Sequence, residues 1–226
     1  MSGYIFRQRC RPRGDFRINE ILRFLHIVHA AFKCPAVYDG KGKPVELTVQ
    51  ALERIVKREV HKIFPSIGAT FDLFTIPPKK WDKNTVRIEI HTGTQPGEVF
   101  VDAYDIDLSE RRKVPAFEYL KTSIGIFKPF EAFLAEDANE TRLDAYNRQQ
   151  LIPKFDKPAI IRGFHYLDEF MIRSIGGINY CLKASVWRVE RFCEGVLIQL
   201  IPGLFDSENP EHLRIQQEAM KYFRLM

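Results

Sequence analysis

Asp72 and the run Glu89-Ile90-His91 are the residues in this chain whose types come closest to a catalytic set. Two carboxylates can hold Mg²⁺, and a base beside them can orient an attacking water, though the spacing here is loose. Metal-dependent nucleases place an acid ahead of a Glu-x-Lys in this way. Here His91 stands where the lysine should be. The missing base makes an exposed strand face the simpler reading, with a nuclease built on Asp72 and Glu89 as the alternative.

Other groupings stop short of a complete site. Asp102, Asp105 and Asp107 are close in sequence, and Asp105 and Asp107 share a strand face if the strand is regular. Two such carboxylates can bind a cation or face a basic partner. His165, Asp168 and Glu169 fall together, with His165 and Glu169 spaced for an i, i+4 pair on a helix. No G-x-S-x-G or cysteine-protease signature supplies a nucleophile for them. His26 and His29 lack a suitably placed Cys34 to complete a zinc site. Gly40-Lys41-Gly42 has no following G-K-[ST], so it is a turn and not a phosphate loop. The residues therefore predict no catalytic group, no cofactor and no metal.

Arg7, Arg9, Arg11 and Arg13 alternate, which on a strand puts several guanidinium groups on one face. Residues 1–33 hold seven basic side chains and two acidic ones, while the rest of the chain is balanced; the net charge is +5. Such a row keeps a strand edge soluble, contacts an acidic protein or contacts phosphates. A nucleic-acid-binding module is thus a further alternative, weakened by the lack of any accompanying binding motif.

The elements that would position these groups follow from periodicity. A strand over 4–12 precedes an amphipathic helix over 17–33, and a second helix runs from Thr48 to Ile63. Strands follow at Ala69–Ile76, Thr85–His91 and Glu98–Leu108, the last with an apolar parity change between Ala103 and Tyr104 that predicts a bulge or a bend. A helix from Pro115 to Phe127 leads to a short strand over Lys128–Ala135. Residues 136–157 are polar, acidic at first, and read as an exposed loop with a short surface helix. A brief strand at Ala159–Arg162 precedes a helix from Phe164 to Ile175, stopped by Gly176-Gly177. Leu182–Phe192 and Val196–Ile201 pair as a hairpin, and Asn209-Pro210 starts the closing helix. Helices separated by runs of adjacent strands predict an α+β fold with a mainly antiparallel sheet, a single domain over 1–226.

With 226 residues, 45% hydrophobic and 28% charged, the chain can bury a full core without a staple. No apolar run is long enough for a membrane helix, and the first residues lack the h-region of a secretory signal. Four scattered cysteines without a C-x-x-C pair suit reduced thiols in the cytoplasm.

The final quarter adds a resemblance. Phe164-His165-Tyr166-Leu167, the hairpin residues Gly195-Val196-Leu197-Ile198, then Phe205-Asp206 and Asn209-Pro210-Glu211-His212 follow in an order that resembles the immunity protein 52 family. The opening strand and long helix and the strand-rich middle are similar too. Gly163-Phe164 stands where that family has a tryptophan before Tyr-Leu. The resemblance implies a cytoplasmic, non-enzymatic immunity protein, monomeric before it binds. Its partner would be a cognate antibacterial toxin, commonly a nuclease effector of a type VI secretion system, with no membrane or nucleic-acid partner. A nuclease channel is electropositive, so carboxylates can occupy it where phosphates would lie. Two acidic stretches could do so: Glu98, Asp102, Asp105 and Asp107, or Glu136, Asp137 and Glu140. The second is favoured as an exposed loop.

Overall fold

The computed structural model describes residues 4–11, 13, 15–32, 34–63, 68–80, 86–92, 102–108, 116–136 and 157–226. The chain divides into two compact units, Arg7–Lys128 and Met1–Phe6 with Pro129–Met226, and the division falls inside the first strand. Each combines helices with antiparallel strands, the α+β class that the patterning predicts. No helix among the described residues is long and apolar enough to cross a membrane.

In the first unit, the part of β1 (Tyr4–Cys10) from Arg7 onward leads to α1 (Ile18–Phe32), β2 (Val37–Asp39), β3 (Pro44–Val45) and α2 (Val49–Glu59). Then come β4 (Ala69–Phe74), β5 (Arg87–Thr92), β6 (Asp102–Leu108) and α3 (Ala116–Phe127). The strand order is β3-β2-β4-β5-β6-β1. The Asp39–Gly42 turn closes the β2–β3 hairpin: the Asp39 carboxylate accepts from the amides of Lys41 and Lys43 at 3.0 and 2.9 Å. Thr48 caps α2 by accepting from the Ala51 amide. This helix stops at Glu59, short of the expected Ile63. Val60 bridges Ala69, and the His61 amide donates to the Gly68 carbonyl at 3.0 Å, so strand-like pairing replaces the next helical turn.

Alternation sorts the two faces of these strands. Ala69, Phe71 and Leu73 on β4 and Ile88 and Ile90 on β5 are buried. The apolar stripes of the helices, Ile21, Leu25 and Val28 on α1 and Leu52 and Val56 on α2, supply the rest of this core. Phe24 of α1 meets Phe127 of α3 edge to face, with centroids 5.4 Å apart. On β1, Phe6, Gln8 and Cys10 are buried, and the Gln8 amide nitrogen donates to Ser123 of α3 at 2.6 Å. The expected bulge in β6 does not form: Tyr104 faces Ile90 and Ala103 faces His91 in unbroken register.

In the second unit, β7 (Glu131–Glu136) precedes β8 (Phe164–Asp168), α4 (Glu169–Ser174), α5 (Ile178–Cys181), β9 (Arg188–Phe192), β10 (Gly195–Gln199) and α6 (Pro210–Tyr222). The strand order is β7-β8-β10-β9, all antiparallel. The single helix expected over 164–175 is instead a strand followed by a two-turn helix. Phe164 to Leu167 are buried on both sides, between β7 and β10, which a helix with one wet face could not achieve. Asp168 makes the switch by capping α4, accepting from the Met171 amide at 2.9 Å. The hairpin strand expected from Leu182 begins only at Arg188, because α5 and its following turns take up residues 178–187. No strand forms over 159–162. The last helix starts as expected, with Asn209 as cap and Pro210 in the first turn.

Candidate partner-binding surfaces

The β4–β5–β6 register brings together residues that sequence spacing left apart. Asp72 lies directly across from Glu89, and Glu89 across from Asp105; Arg87 lies opposite Asp107. Like charges facing one another across strands repel unless a cation intervenes. Arg87 supplies it: its Nε donates to the Asp72 carboxylate at 3.0 Å and its Nη2 lies 3.1 Å from Glu89. The side chains of Asp72 and Glu89 remain 35% and 40% exposed, so the pair reaches solvent. At the end of this row Thr70 Oγ1 and His91 Nδ1 are 2.6 Å apart.

This arrangement explains what the two acids can do. One guanidinium thus pairs with both carboxylates. Among the described residues, no group of three or more His, Cys, Asp or Glu side chains is placed to hold a metal ion. The Cys34 thiol donates to the His29 carbonyl, 3.8 Å away.

The two acidic stretches proposed from sequence fare differently. Asp102, Asp105 and Asp107 lie on β6, while Glu98 lies outside the described residues. Glu136 is a correction. It is the last residue of β7, 4% exposed, and its carboxylate accepts the Ser207 amide at 2.7 Å. A carboxylate used inside the fold is not surface charge. Asp137 and Glu140 lie outside the described residues.

The arginine row alternates as expected along β1, with Arg7 and Arg9 half-buried opposite Phe6, Gln8 and Cys10. Arg13 lies beyond the strand, forked onto Asp15 at 2.9 and 2.6 Å and paired with Glu20 at 2.8 Å. The hydrogen bond from Arg13 holds the Asp15 carboxyl below its ordinary range.

A buried ionic cluster in the second unit escaped the sequence reading. His165 was expected to pair with Glu169; Glu169 instead pairs with Arg173 at 2.6 Å. The His165 Nε2 lies 3.0 Å from the Glu131 carboxylate, and Arg162 Nη1 lies 3.8 Å from the same oxygen. The Arg162 amide donates to His165 Nδ1 at 3.2 Å. That nitrogen therefore accepts, so the proton sits on Nε2 and the imidazole donates to Glu131. The Arg162 guanidinium also lies 3.5 Å above the Phe133 ring. The signal for this cluster was Glu131 itself, one charge set in the apolar run Phe130–Ala135.

Neither a protein-family model nor a curated protein matches the chain. A solved structure does share its fold. The Pseudomonas aeruginosa T6SS protein PA0821 superposes with a TM-score of 0.63 at 9% identity, covering 99% of this chain and 73% of that one. At that identity the likeness establishes the fold.

Proposed function

We propose that this chain is a cytoplasmic immunity protein that binds a cognate antibacterial effector of type VI secretion and blocks it by surface complementarity. One observation carries the reading: the fold shared with a T6SS protein over 99% of this chain. The effector would be a nuclease, whose electropositive channel suits the face bearing Asp72 and Glu89, with Asp105 and Asp107 at the neighbouring register positions. Inhibition without catalysis fits the Arg87 guanidinium pairing with both carboxylates. A complex of ordinary size would bury about 1,600 Å² and reach nanomolar affinity.

Co-expression with the protein encoded beside its gene tests this. The expected result is rescued growth and a stable complex of the two purified proteins. Cleavage of DNA or RNA by the purified chain with Mg²⁺ or Mn²⁺, abolished by Glu89→Ala or Asp72→Ala, would assign a nuclease instead.

A further inference from the structure

We propose that the surface around Tyr180 and Tyr222 is a docking site for a carboxylate-rich patch of a partner protein; that this partner is the effector rests on the immunity reading. The two rings stack at 4.5 Å between centroids, 13° from parallel. Each hydroxyl donates to the other residue's main-chain carbonyl, Tyr222 to Tyr180 at 2.8 Å and Tyr180 reciprocally to Tyr222. The pair is thereby a rigid, half-exposed aromatic plate, contact area that costs little entropy to use.

Four cations belong to the segments that meet at this pair. Arg224 holds its guanidinium over the Tyr180 ring at 6.0 Å. Lys157 Nζ donates to the Arg224 carbonyl at 2.9 Å. The Lys183 amide donates to the Tyr180 carbonyl at 3.1 Å, and Lys221 precedes Tyr222. Lys183, Lys221 and Arg224 are exposed. None of the four forms an ion pair among the described residues; Glu218, one turn earlier on α6, is engaged by Arg214. The dipole at the end of α6 accounts for Lys221 and Arg224 but not for Lys157 or Lys183, which come from other segments. Like charge from three segments, not ion-paired among the described residues, costs self-repulsion that an anionic partner relieves.

Tyrosine, arginine and the exposed Leu182 beside Lys183 are the side chains of a protein interface. Nucleic acid fits less well, because bases need open ring faces and these rings cover one another.

The test compares wild type with Lys183→Glu/Lys221→Glu, using the purified protein encoded beside its gene as the probe. The charge reversal should weaken binding roughly tenfold or more, with a reduced dependence on salt. Its urea midpoint should match wild type, and Lys183→Gln/Lys221→Gln should show an intermediate loss. Unchanged affinity in the reversal variant overturns this docking site while leaving the immunity reading intact. A wild type that neither binds nor protects removes both. A 20-base-pair DNA duplex held by wild type and released by the variant would reassign the surface to nucleic acid.

Discussion

Glu131 accepts a hydrogen bond from the Nε2 of His165 at 3.0 Å in the buried strands of the second unit, with Arg162 as its counter-ion. Removing the carboxylate takes away the acceptor of the His165 Nε2 and a charge partner of the buried Arg162 guanidinium. Glu131→Ala should therefore destabilise by about 3–5 kcal/mol. Glu169→Ala, whose partner Arg173 is exposed, should stay within about 0.5 kcal/mol. Urea unfolding of the two variants beside wild type measures the contrast.

Gly195 is required for close approach. A Cβ there would lie 2.1 Å from the Leu167 carbonyl oxygen on β8, a backbone atom that cannot swing aside. At Gly163 it would lie 2.4 Å from Phe205 Cβ. Alanine at either position should cost about 1–3 kcal/mol, whereas Gly40→Ala and Gly203→Ala meet nothing within 4 Å and should be near neutral. Thermal midpoints of the four variants decide.

Thiol chemistry should separate Cys181 from Cys193. Cys181 is buried, and burial pushes its thiol up to about 11; Cys193 is exposed on the hairpin turn. A maleimide at neutral pH should label Cys193 quickly and Cys181 only on unfolding. Because the folded value exceeds the unfolded one of about 8.5, the associated stability is complete below that pH. It should be lost as pH rises through about 11, by at most about 3 kcal/mol, and Cys181→Ala should flatten this part of the stability–pH curve.

The open face of β4 and β5 should tolerate mutation structurally. Asp72→Lys with Glu89→Lys replaces half-exposed partners of Arg87, so stability should fall by no more than about 1–2 kcal/mol. Under the immunity reading the same pair should weaken effector binding at least about tenfold. Isothermal titration beside circular dichroism tells the two effects apart.

Local patterns alone determined the α+β class, the turn at Asp39–Gly42, the Thr48 and Asn209 helix starts and the inward side of β1 and β5. Each depends on a period of two or 3.6, on a cap or on a glycine, all contained within a few residues. Tertiary structure decided the rest. Phe164–Leu167 satisfies a helical stripe on paper, but flanking strands bury it on both sides and make it β8. Asp72, Arg87 and Glu89 form one cluster only because antiparallel register sets β4 against β5, and His165 found Glu131 rather than Glu169 for the same reason. Glu136 reads as loop charge from its acidic neighbours, yet its carboxylate is spent on the Ser207 amide. Cross-strand partners and long-range hydrogen bonds join residues distant in sequence, and a one-residue slip would change them all; no local pattern encodes that choice.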